Sequence, residues 1–170
     1  MKRVAKEAGV SEATIFKYFE DKEDLIDKCY YRVGLEVVSQ FEKDTQANNN
    51  LYDSLQHIAR TNFLRLKSNQ NIWDIFTHDI NQRIRKNSQV YKCKKRYETL
   101  LTKLIVMAQK NKELIASVNP RTILNMFFGP IEYIAIKYRM YGEDFDIDEN
   151  VNDIVNTIFR AYSTKEDFKK

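Results

Sequence analysis

The chain has 170 residues and a net charge of +4, long enough to bury a real core in one domain or in a small domain fused to a larger one. Four glycines and two prolines weigh against strands and tight turns and favour long helices. The isolated cysteines, Cys29 and Cys93, exclude a disulfide framework and suit a reducing cytoplasm, and no apolar run is long enough to span a bilayer, so no membrane partner is expected.

The first element is a two-helix corner. Val4, Ala5 and Ala8 mark one short helix, and Gly9 follows at the position where a helix most easily ends in a left-handed conformation. Ser11 reads as an N-cap for a second helix with Ile15, Phe16 and Phe19. Small Ala5 and Ala8 would let the helices approach, with Val10 and Ile15 filling the wedge. Two helices joined by a short glycine-containing turn make a helix-turn-helix, whose second helix can enter a DNA major groove. The stretch AKEAGVSEATIFKYFEDKEDLI resembles the DNA-binding signature of TetR-type transcriptional regulators. That resemblance covers about the first 26 residues. It implies a helix preceding the corner that this sequence does not supply, so residues 1–24 are expected to be an N-terminally truncated DNA-binding region and residues 25–170 a ligand-binding and dimerisation domain.

Asp21 or Asp24 can cap the next helix, about 22–45, on which Leu25, Ile26, Cys29, Tyr30, Val33, Val37, Val38 and Phe41 form a stripe. Asn48 to Asn50 read as a loop. Helices follow at about 51–66, 72–84 and 89–109, with 111–119 a connection or fraying end. Asn119-Pro120 opens a helix that is apolar nearly all round and ends at Gly142, with Pro130 expected to kink it. The last helix, about 148–162, carries Val151, Ile154, Val155, Ile158, Phe159 and Tyr162 on one face, and a polar tail from Thr164 is expected to fray. The fold class is all-α with about eight helices.

DNA contacts are expected from Ser11 to Tyr18 and from Lys22. The family resemblance puts Thr14, Phe16, Lys17, Tyr18 and Lys22 at the groove or its flanking phosphates. Glu12, Ala13 and Lys17 project from the exposed side, where Lys17 suits guanine acceptors and Glu12 a cytosine amine. Phe16 stands where the family usually has tyrosine and cannot donate to a phosphate, and Phe19 reads as core. Six basic and seven acidic side chains leave residues 1–28 at net −1, so surface arrangement must supply any attraction for phosphate.

The resemblance also implies an effector pocket among the later helices. Phe63, Leu66, Trp73, Phe76, Ile80, Tyr97, Leu101, Phe127, Ile131 and Ile134 are the apolar candidates. Glu132 and Asp79 would suit a lipophilic cation if buried. The Phe-Gly-Pro-Ile-Glu segment is similar to fatty-acid-responsive members, which implies a long acyl compound whose phosphates could meet the basic run Lys92–Arg96. The helices near 120–141 and 148–162 carry apolar surface for a homodimeric four-helix bundle. No Gly-rich phosphate loop, nucleophile elbow, metal cluster or carboxylate pair is present, and His57 and His78 stand alone, so neither an enzyme nor a cofactor is expected. The reading is a ligand-responsive repressor that binds operator DNA as a homodimer; the alternative is a helical ligand-binding or scaffold dimer without DNA binding.

Overall fold

The computed structural model describes residues 1–47, 50–68, 89–165 and 168. Among these the chain is all-α, with α1 (Lys2–Glu7), α2 (Glu12–Tyr18), α3 (Lys22–Ala47), α4 (Leu51–Ser68), α5 (Gln89–Lys110), α6 (Pro120–Tyr141) and α7 (Ile147–Tyr162). The helix expected at 72–84 lies outside the described residues.

Local chemistry sets the corner. Gly9 adopts φ +66°, and the Gly9 and Val10 amides close α1 on the carbonyls of Lys6 and Ala5. The Ser11 hydroxyl accepts from the Thr14 amide at 3.0 Å, satisfying a donor that the first turn of α2 cannot pair internally. Ala5 and Ile15 are the buried residues of α1 and α2. The expected wedge is smaller than read: Val10, which follows the left-handed Gly9, and Ala8 are both exposed, as is Val4. Asp21 caps α3, its carboxylate accepting from the Asp24 amide at 2.7 Å, while Asp24 turns back to the Glu20 amide at 3.0 Å. Along α3, Tyr30, Val38 and Phe41 are buried, but Cys29 lies outside the expected stripe and is exposed.

One apolar core joins α4, α5, α6 and α7 through Leu55, Phe63, Leu101, Ile105, Phe127, Val155 and their neighbours. Asn119 caps α6 by accepting from the Arg121 amide at 2.9 Å, and left-handed Gly142 ends it. The helix passes through Pro130, whose missing N–H leaves the carbonyl of Met126 without its helical donor. Its all-round apolarity is divided: Ile123, Phe127, Ile131 and Ala135 face the core, whereas Tyr133, Ile136, Met140 and Tyr141 face outward. The stripe on α7 is buried within the same chain, leaving Asn152, Asp153, Thr157 and Arg160 on its outer side. The unpartnered apolar surface expected on both helices therefore sits on α6.

Among the described residues of the tail, Thr164 and Phe168 are held where fraying was expected. Ile115 donates to the Tyr162 carbonyl at 2.9 Å and Thr164 to the Glu113 carbonyl at 3.1 Å, forming an isolated bridge at Leu114 and Ser163. The Glu113 carboxylate accepts from the Leu51 amide at 3.3 Å, at the start of α4. Phe168 packs against Tyr52 and Phe159, with ring centroids 5.3 and 5.1 Å apart. Of the two alternatives read for 111–119, a connection or a fraying end, these contacts show the connection.

Because the corner buries little and the α4–α7 core buries much, their opening energies should differ. Amide exchange should be at least about tenfold faster in α1 and α2 than in α4 and α7; equal protection would show that the corner is held by more than Ala5 and Ile15.

Candidate functional site

The outer face of α2 is formed by the residues that its own packing leaves free. Ile15 is 5% exposed and anchors the inner side, whereas Phe16 and Tyr18 are 51% and 65% exposed. Ser11, Glu12, Ala13, Thr14, Lys17 and Lys22 are exposed as well. All eight residues expected at a DNA surface are therefore on the outside, and Phe19, expected in the core, is only half-buried and outside the core cluster. The hydroxyls of Ser11 and Thr14 lie 2.8 Å apart, so the cap and the exposed face of α2 share atoms. Arranged this way, α2 can offer a lysine, a carboxylate, hydroxyls and an aromatic ring to a groove, and Tyr18 and Lys22 are exposed at its C-terminal side.

Sequence reasoning missed Lys28. Its Nζ donates to the Tyr18 carbonyl at 3.1 Å and to Asp24 Oδ2 at 2.8 Å, and stands 5.4 Å from the centre of the Phe19 ring. A cation at the C-terminal end of α2 meets the negative end of the helix dipole. Lys28 thus ties the candidate recognition helix to α3. The hydrogen bond from Lys28, followed by the one from the Glu20 amide, holds the Asp24 carboxyl below its ordinary value. A depressed carboxylate stabilises the fold above its unfolded pKa, and the contribution disappears as pH falls through the folded one. The i, i+4 spacing of Asp24 and Lys28 was readable, but the reach to Tyr18 was not.

α3 continues from this clamp into contact with α5. Asp27 Oδ2 accepts from the Gln89 amide at 3.1 Å, at the first turn of α5. Further along, Phe41 and Tyr97 have ring centroids 4.6 Å apart, and Arg96 Nη2 reaches Glu42 Oε1 at 2.6 Å. Tyr97 leads to Phe128 at 5.7 Å, and Phe128 to Phe127 at 5.1 Å. An aromatic series therefore connects the helix that carries the corner to the middle of the core.

The candidate effector residues occupy that core. Phe63, Leu66, Leu101, Phe127 and Ile131 are buried in one cluster, with Tyr97 and Ile134 half-buried against it. Trp73, Phe76 and Ile80 lie outside the described residues, as does Asp79. Glu132 is exposed, so it does not supply the buried carboxylate that a lipophilic cation would require. Arg96, expected among residues available to ligand phosphates, is engaged by Glu42. Sequence reasoning also missed a groove of about 640 Å³ between α5 and the start of α6, where Lys95, Lys103, Lys110 and Arg121 surround Val106, Met107 and Leu124. Glu98 lines it too and is paired with Lys95 at 3.1 Å. Among the described residues no cluster of His, Cys, Asp or Glu could hold a metal ion, and no helix is long and apolar enough to cross a membrane.

Residues 1–29 match the family described as bacterial regulatory proteins, tetR family, and residues 31–161 match the YsiA-like protein C-terminal region. The chain is 20% identical over 164 residues to the fatty acid metabolism regulator protein of Bacillus subtilis (strain 168), covering 96% of this chain and 84% of that protein. The crystal structure of the transcriptional regulator FadR from Bacillus subtilis in complex with stearoyl-CoA superposes with a TM-score of 0.83, at 19% identity over 93% of this chain and 86% of that one. The fatty acid degradation regulator FadR from Bacillus halodurans superposes at 0.80, with 18% identity over 93% and 82% of the two chains.

Lys28→Ala should free α2 from α3 without touching the core. DNA affinity measured by fluorescence anisotropy should fall about tenfold, with the melting temperature of the bundle shifted by no more than a surface substitution allows. An unchanged affinity would remove Lys28 from the docking geometry.

Proposed function

This chain belongs to the TetR family of regulators, and from that premise we propose that it is a homodimeric repressor, released from its operator by a long-chain fatty acyl thioester. It is a ligand-responsive transcriptional regulator and not an enzyme. Residues 1–24 form the DNA-binding region in this reading, and residues 25–170 bind the effector and the second protomer. The observation that supports the effector class is the similarity to the fatty acid metabolism regulator of Bacillus subtilis and to the FadR structure in complex with stearoyl-CoA. A chemical argument supports it. The core cluster offers aromatic and aliphatic side chains to an acyl chain, while Lys103, Lys110 and Arg121 of the α5–α6 groove offer charge to the phosphates of a thioester head.

Dimerisation uses the outward face of α6. Tyr133 and Met140 are 63% and 64% exposed, and Gly129 on the same face has open space around it, which allows a second helix to approach closely. The polar outer side of α7 would complete a four-helix bundle at its rim. Two copies of α2 would then enter successive major grooves, roughly 34–36 Å apart. Lys17 and Glu12 would address base edges, and Tyr18 and Lys22 the backbone. Effector occupancy moves α3, the docking separation is lost, and operator affinity falls. The operator and effector both act on a protein of the cytoplasm in this reading.

Affinity for DNA fragments selected from genomic sequence should fall steeply with salt, and Lys22→Ala should lower the slope of log K against log salt by about one. Stearoyl-CoA should release the fragment. A flat salt response would favour a dimer that does not bind DNA. For the head-binding groove, joint Lys103→Glu and Lys110→Glu substitution should weaken stearoyl-CoA binding at least about tenfold while changing free stearate little, because the charge term acts on the phosphates; equal loss for both ligands would place the head elsewhere.

A further inference from the structure

α3 and α5 run in the same direction and cross obliquely, since the contacts from Asp27 to Glu42 on α3 fall on the shorter stretch from Gln89 to Tyr97 on α5. Gly34 sits between them. A Cβ at Gly34 would lie 3.1 Å from Cys93 Cβ and 3.2 Å from Cys93 Sγ, inside the separation of about 3.5–4.0 Å at which carbon atoms rest. Gly34 has no left-handed backbone to require it, and glycine inside a helix forfeits helix propensity. Its neighbour supplies the reason for it. Cys93 is buried, and burial pushes its thiol pKa up.

Around this closest approach the helices are held on both sides. The Asp27–Gln89 bond lies towards the DNA-binding corner. The Phe41–Tyr97 and Glu42–Arg96 contacts lie away from it, and Tyr97 is also the ring that meets Phe128 of the core. We propose that Gly34 is the pivot of α3. The regulatory core sets the tilt of α3 by bearing on Cys93 and Tyr97, and the missing side chain at Gly34 keeps the crossing close enough for the two recognition helices to stand at docking separation. The proposal deepens the reading of an effector-released dimer and rests on it. At about 1.5 Å of rise per residue, Lys22 lies about 18 Å from Gly34, so a tilt of about 5° carries it about 1.6 Å, or about 3 Å across the dimer.

The test places one nitroxide label per protomer on Glu20→Cys in a Cys29→Ser background, since Cys93 is buried, and measures the distance between the two labels by pulsed electron resonance. Gly34→Ala should shift the ligand-free distance by about 3 Å, in the direction that stearoyl-CoA shifts the labelled parent. Adding Cys93→Gly should reverse that shift. Cys93→Val enlarges the other wall of the crossing and should give the same shift as Gly34→Ala, so it carries the test if Gly34→Ala does not dimerise. Folded dimers of these variants with the parent's distance would overturn the pivot, and so would a Gly34→Ala shift that Cys93→Gly leaves in place. If stearoyl-CoA leaves the parent's labels unmoved while Gly34→Ala shifts them, the acyl effector falls and the pivot stands.

Discussion

The contact between α3 and α5 is the interaction on which the functional arrangement depends. α3 carries the DNA-binding corner at one end and is held to the regulatory core along its length, by a carboxylate on a helix terminus, a glycine against a buried cysteine, a pair of rings and an ion pair. These contacts differ in character. The exposed ion pair between Glu42 and Arg96 contributes little by itself, because water screens it and two long side chains must be ordered. The close packing at Gly34 accepts a methyl group only if its neighbour Cys93 gives way by a few tenths of an ångström. Stability of the junction thus comes mainly from shape, and its geometry is sensitive to small displacements on the α5 side.

The division of apolar surface between α6 and α7 follows a simple constraint. α7 has one apolar face, and α4 and α6 cover it, with Tyr52 and Gln56 of α4 bonded to Asn156 and Asn152 along the seam. α6 has more apolar surface than one side can bury, so a second face is left with Tyr133, Ile136 and Met140 outward. A monomer would leave that stripe in water, at a cost of about 25 cal/mol for each Å² that a second copy could cover. The chemistry of the outer face of α7, mostly amide, hydroxyl and charge, suits the rim of such an interface rather than its centre.

What could be read from the sequence was local. The caps at Ser11 and Asn119, the left-handed Gly9 and Gly142, and the stripe on α7 each depend on residues within one or two turns, where spacing alone carries the signal. The exposed face of α2 was readable for the same reason, since burying Ile15 fixes where the rest must point. What could not be read depends on distant partners. Thr164 is held by Glu113, and Lys28 reaches the end of the preceding helix. A polar tail and a helical lysine look alike in sequence whether or not a partner waits for them. The α5–α6 groove was hidden because its cations come from two helices, and the basic run that was visible loses Arg96 to Glu42.

Asp27 gives the junction a further property. α5 begins with backbone donors that its own turns cannot satisfy, and the one at Gln89 is met by a carboxylate from another helix, 62 positions earlier. One donor of that first turn is therefore met by docking. Pulling α3 away would do more than tilt a rod: it would take from the Gln89 amide the carboxylate that meets it. Attachment of the DNA-binding corner and the capping of α5 at Gln89 therefore share one side chain, Asp27.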